Sequence, residues 1–324
     1  MKKYILNLLL AALLSVCMGT TAFAEESGEA IQIVATIFPE YDWVQQILGD
    51  QAENAELTLL LDSGVDLHNY QPTVDDILAV SDCDLFLYVG GESDEWVDDV
   101  LKEAVNEGMV VLDLLELLGD SAVEEETVEG MEAGEEENDE EEEGETEYDE
   151  HVWLSLKNAQ VFCEAIAEAL EGLDPDNADL YAENAAEYVS RLSALDEEYQ
   201  AAVDGAAVTT LLFGDRFPFR YLTEDYGLDY YAAFSGCSAE SEASFETITF
   251  LAGKVDELGL NYVMKIESSD GKIAQTIISC TSTQEQEVLT LNSMQSVTLQ
   301  DVEEGVTYLS IMEENLEVLT QALQ

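Results

Sequence analysis

The chain has 324 residues, 47% of them hydrophobic, and a formal net charge of -62. That length suffices for two domains of ordinary size, each burying its own core, and the apolar content excludes a wholly disordered chain. A surface this negative repels nucleic acid and anionic lipid, which leaves cations as the natural small partners.

Residues 1–24 read as an export signal: Lys2 and Lys3, an apolar run from Tyr4 to Val16, then Ala22-Phe23-Ala24 before Glu25. Cleavage after Ala24 releases a soluble protein, whereas Leu14-Ser15-Val16-Cys17 is an imperfect lipobox that would leave a lipid-anchored one. Both outcomes are extracytoplasmic, as a secreted or periplasmic protein or a cell-surface lipoprotein. No later stretch is apolar for long enough to span a bilayer.

From residue 27 to residue 175, the short β-rich runs "IQIVATI", "ELTLLL", "LFLYVG" and "MVVLDL" alternate with helix-length segments at 40–49, 73–81 and 92–106. Such alternation predicts βαβ units around a parallel sheet. Residues 176–205 predict one long helix, with Pro175 before it, Asn177 or Asp176 as cap and Gly205 at its end. The strand pattern restarts over residues 206–324 with "VTTLLFG", "DYYAAF", "NYVMKIE" and "VLTLNS". The expected fold is therefore two Rossmann-like α/β domains, each with a four-stranded parallel sheet, joined by a rigid helix that allows little hinge closure.

Inside the first domain, residues 121–150 hold seventeen Asp and Glu in thirty positions, ending directly against His151. This composition does not fold alone, and it lacks the ligand order of an EF-hand. A disordered loop that weakly gathers cations is the expectation. Cys83, Cys163, Cys237 and Cys280 contain no C-x-x-C spacing, which argues against a thiolate zinc cluster. A Cys237–Cys280 disulfide and buried unpaired thiols both remain open.

Parallel α/β domains bind ligands beyond the carboxyl ends of their strands. The candidates following predicted strands are Glu40, His68, Asp215, Glu267 and Gln295, and His151 joins them where the acidic run ends. The chain has two histidines, both in loops entering helices and neither on an apolar helical face. Two neutral imidazoles and a carboxylate suit zinc, with a fourth position open; a more oxygen-rich set suits manganese.

"LLLDSGVDLHNYQPTVDDILAVSDCDLFLYVGG" and "DEHVWLSLKNA" together resemble the two metal-ligand motifs of the zinc and manganese solute-binding proteins of ABC importers, the second usually reading Asp-Pro-His-x-Trp-Leu after a charged loop. The resemblance covers nearly the whole mature chain. It implies two globular domains around one metal, with His68 and His151 from the first and the remaining ligands from the second. It also places Arg216 where relatives carry His or Glu. A guanidinium cannot ligate a metal, so Asp215 beside it becomes the expected ligand. The family's last ligand, often Asp, falls near Gln295, with Glu267 and Glu40 as rivals.

The function so implied is extracytoplasmic capture of a divalent ion, Zn2+ foremost with Mn2+ as the alternative, and its delivery by a monomer to a membrane permease. A metallohydrolase is disfavoured, because H-E-x-x-H and G-x-S-x-G are both absent. A surface adhesin or calcium buffer built on the acidic segment would leave the two-domain chassis without a role.

Overall fold

The computed structural model describes residues 30–132, 147–238 and 242–324. The leader expected at residues 1–24 and the middle of the acidic segment lie outside the described residues. The first lobe comprises β1 (Ile31–Ala35), α1 (Phe38–Leu48), β2 (Ala55–Leu59), α2 (Val74–Asp82), β3 (Leu85–Tyr88), α3 (Trp96–Lys102), β4 (Val110–Asp113), α4 (Leu114–Leu118) and α5 (Leu156–Leu173). A long helix, α6 (Ala178–Asp204), precedes the second lobe: β5 (Thr210–Phe217), α7 (Arg220–Tyr226), β6 (Asp229–Ser235), α8 (Phe245–Leu258), β7 (Tyr262–Ile266), α9 (Lys272–Cys280), β8 (Glu287–Leu291), α10 (Leu299–Glu303) and α11 (Tyr308–Ala322).

All strand pairs are parallel, in the orders β2-β1-β3-β4 and β6-β5-β7-β8. The central strands are buried on both faces, as the unbroken run Leu85-Phe86-Leu87 shows, which is why they read as continuous apolar stretches instead of alternating ones. In each sheet the chain leaves the first strand toward one edge and returns on its other side. Each lobe thus has a switch point at the carboxyl ends of its central strands, where ligand-binding loops gather.

The helix α6 is 27 residues long and buries Tyr181, Leu192 and Tyr199 along one face. Asn177 stands at its start, but its amide turns back to donate to Asp174 at 2.7 Å and leaves the helix N–H groups uncapped. The terminal helix α11 returns to brace the first lobe. The Tyr199 hydroxyl donates to the Met312 carbonyl at 2.6 Å, and the Tyr308 N–H donates to Asp42 of α1 at 3.1 Å. One apolar cluster consequently includes Phe86, Trp153 and Leu192 together with Phe213 and Met312, and a smaller one around Leu212, Leu251 and Ile277 fills the outer second lobe.

One expectation needs correction. The acidic segment is ordered at both ends: Glu124 bridges Tyr148 in antiparallel fashion, and the Glu125 N–H donates to the Glu147 carbonyl at 3.0 Å. The Glu132 N–H donates to the Ala233 carbonyl at 2.9 Å, and Glu126 pairs with Arg220. Backbone pairing and one cation thus fix flanks that composition alone marks as loop. Of the two readings left open for the cysteines, the structure has the unpaired one: all four described cysteines are free thiols, Cys83 and Cys163 being buried. Among the described residues, no helix is long and apolar enough to cross a membrane.

Candidate metal centre

The carboxyl ends of the two sheets meet at the pair of histidines. After β2, Asp66 accepts the His68 N–H at 3.2 Å and starts the short helical turn Leu67–Asn69 that presents the imidazole. After β3, Gly91 at φ 78° makes the turn that leads to Ser93. A Cβ on Gly91 would lie 2.5 Å from Glu150 Oε1, so this close approach requires glycine. His151 ends the acidic segment, fully buried, with its N–H and ring held by Asp149 Oδ1 at 2.9 and 3.0 Å.

The neighbours of each ring define its tautomer. Ser93 Oγ donates to Glu150 Oε2 at 2.5 Å, so the 2.8 Å contact between Ser93 Oγ and His68 Nδ1 has the ring as donor. His151 Nδ1–H likewise donates to the Asp149 carboxylate. The two Nε2 atoms face one another at 3.2 Å. Two nitrogens bound tetrahedrally at ~2.0–2.1 Å from one zinc stand about 3.3 Å apart. Carboxylates behind the imidazoles fix ring orientation and strengthen the rings as donors. Burial raises the Glu150 carboxyl, but hydrogen bonds from His68 and Ser93 more than offset it and hold the group below the usual carboxylate range.

Two candidate donors come from the second lobe. Ring nitrogens of His68 and His151 and the Cys237 sulfur all lie within 4.8 Å of one another. Gln295 follows β8. With its amide oriented to donate to Asp66 Oδ2 at 2.7 Å, its carbonyl oxygen stands 2.8 Å from His151 Nε2. The loop carrying it is tied to the His151 segment by Trp153, whose Nε1–H donates to the Ser293 carbonyl at 2.9 Å.

The other expected ligands are engaged elsewhere. Asp215 accepts the Arg216 N–H at 2.9 Å and the Ile266 N–H at 3.3 Å, which ties β5 to β7. Glu267 holds the loop after β8 by accepting from Ser293 N at 2.7 Å and Ser293 Oγ at 2.9 Å. Glu40 turns back on its own helix start and accepts from Thr36 N at 2.8 Å and Ile37 N at 3.2 Å. Arg216 pairs with the Asp66 carboxylate across the cleft at 2.5 Å. Burial raises the Asp66 carboxyl, and the charge and hydrogen bonds of Arg216 outweigh it, for a net downward shift.

Sequence reasoning missed Cys237 as a donor. It follows "DYYAAFSG" at the carboxyl end of β6, so the strand-end rule that selected Asp215 and Glu267 would have selected it too. A cavity of about 800 Å³ opens beside it, lined by His68, Cys237 and a mouth of carboxylates including Glu92, Glu125 and Glu147.

Two parallel α/β lobes braced by a long helix, with strand ends converging on paired imidazoles, define a two-lobed metal-binding solute-binding protein. The chain belongs to the family described as zinc-uptake complex component A, periplasmic, whose profile matches residues 33–322. It is 30% identical over 331 residues to the zinc-binding lipoprotein AdcA of Streptococcus pneumoniae serotype 4, an alignment spanning 99% of this chain and 61% of that protein. It is 28% identical over 309 residues to the high-affinity zinc uptake system protein ZnuA of Bacillus subtilis, covering 94% of this chain and 91% of the relative. The crystal structure of the Zn(II)-bound ZnuA-like domain of S. pneumoniae AdcA superposes with a TM-score of 0.70 at 26% identity, over 91% of this chain and 99% of that one. The chain thus spans about three-fifths of the AdcA relatives it matches, 61% of their length.

Proposed function

We propose that the protein captures a divalent metal ion outside the cytoplasm, Zn2+ foremost, and hands it as a monomer to the membrane permease of an ABC importer. The observation that carries this reading is the pair of imidazole Nε2 atoms facing each other at 3.2 Å at the strand ends, with the Nδ1 of each ring engaged by Ser93 or Asp149. Two imidazole nitrogens at this separation match the spacing of two ligands on one zinc ion. Membership of the zinc-uptake family and the zinc named in the relatives' descriptions support the choice of metal, and the periplasmic family description agrees with the export signal.

The acidic mouth supplies the first stage of capture, because carboxylates around a cleft raise the local concentration of cations. The second stage exchanges weak oxygen contacts for the imidazoles, whose Nδ1–H donors are already engaged. The long helix and shared core hold the lobes fixed, so the ion enters and leaves through the mouth. Isothermal titration tests the reading. The wild-type chain takes up a single zinc ion tightly, and the double variant His68→Ala, His151→Ala loses that binding while keeping its helical circular dichroism. Tight binding that survives in the folded double variant overturns the proposal.

A further inference from the structure

We infer that the metal ligand from the second lobe is the Cys237 thiolate, so that the cargo is a thiophilic d10 cation such as Zn2+ or Cd2+, and Mn2+ is rejected. This rests on the metal-capture reading above. Three observations carry it. The sulfur and the two imidazoles lie within 4.8 Å of one another, close enough to share one ion. The chain reaches that point through Gly236, where a Cβ would stand only 2.7 Å from His151 Cε1, so the end of β6 is brought as close to the ring as backbone can come. The two second-lobe carboxylates at strand ends beside the cleft are committed, Asp215 to the β5–β7 join and Glu267 to Ser293, while Arg216 occupies Asp66.

The donors gathered at the imidazoles are thus two nitrogens, one sulfur and the amide oxygen of Gln295, with the Glu125 carboxylate farther out on the cavity wall. Nitrogen and sulfur donors at tetrahedral spacing suit zinc, whereas manganese favours oxygen ligands. As the metal–sulfur bond forms, the thiol gives its proton to solvent and no electron changes hands.

Cobalt(II) spectroscopy on the full chain separates this inference from the reading beneath it. Cobalt bound by a thiolate shows a sulfur-to-metal charge-transfer band in the near ultraviolet, besides the visible d–d bands of a tetrahedral ion. The expected result is both sets of bands in wild type and in Cys280→Ser, with loss of the charge-transfer band alone in Cys237→Ser. Zinc affinity in Cys237→Ser should fall about 100-fold or more, beyond the ~10–100-fold that an outer-shell partner is worth. Visible bands without charge transfer in the wild-type protein overturn the thiolate and leave metal capture standing. Failure of the wild-type chain to bind either cobalt or zinc overturns both. Because the decisive spectrum is that of the wild type, the test holds even if Cys237→Ser does not fold.

Discussion

Glu40 shows how a residue expected to bind metal can be tied up by local structure. It is fully buried, and its Oε1 has no hydrogen-bond partner while Oε2 accepts from the turn that starts α1. Burial chiefly, with the nearby charge of Asp94, pushes its carboxyl from 4.5 to about 8. A carboxyl whose folded value lies above its unfolded one holds a proton that the unfolded chain releases, so stability is fullest below 4.5 and falls as pH rises toward 8. Glu40→Gln keeps an oxygen acceptor for the same N–H groups and removes the titration. Thermal midpoints between pH about 5 and about 8 should fall less steeply in Glu40→Gln than in wild type; equal slopes would show that Glu40 is not protonated in the folded protein. The side chain sits at the end of β1, where the strand-end rule looks for ligands. Only the geometry shows that it serves as a helix cap.

Elements carry the site as much as side chains do. The turn after β6 places Cys237, and it can do so because Gly236 lets the backbone pass the fully buried His151 ring. In Gly236→Ala a methyl would stand 2.7 Å from His151 Cε1 and 3.1 Å from the Phe217 carbonyl. Asp149 pins the ring, so the turn must shift. Overpacking of this kind costs about 1–3 kcal/mol, read by chemical denaturation, and moving the sulfur should lower zinc affinity at least ~10-fold, read by competition with a chelating dye. Wild-type affinity in this variant would show that the turn does not set the site. Both sheets, the long helix and the two histidines were legible in the sequence, because apolar runs of strand length and loop-borne imidazoles leave local signals. The second-lobe ligands were not, since which of Asp215, Cys237, Glu267 or Gln295 faces the cleft depends on hydrogen bonds among loops far apart in the chain. The acidic segment misled for the same reason: its composition does not reveal that Glu125 pairs with Glu147.

Across the whole molecule, the formal net charge is -62. Surface carboxylates attract any cation, weakly and with strong screening by salt. On the proposed reading selection falls to the cleft, where two lobes that share one apolar cluster bring nitrogen and sulfur atoms within 4.8 Å of one another. The proposed division of labour is an unselective acidic exterior and a selective cleft. Anomalous diffraction collected across the zinc absorption edge, from crystals of the zinc-loaded full chain, tests this most directly. The account predicts one dominant peak about 2 Å from both His68 Nε2 and His151 Nε2, between the strand ends of the two lobes. A peak bound only to surface carboxylates, with the two imidazoles still in contact and no metal between them, would contradict it.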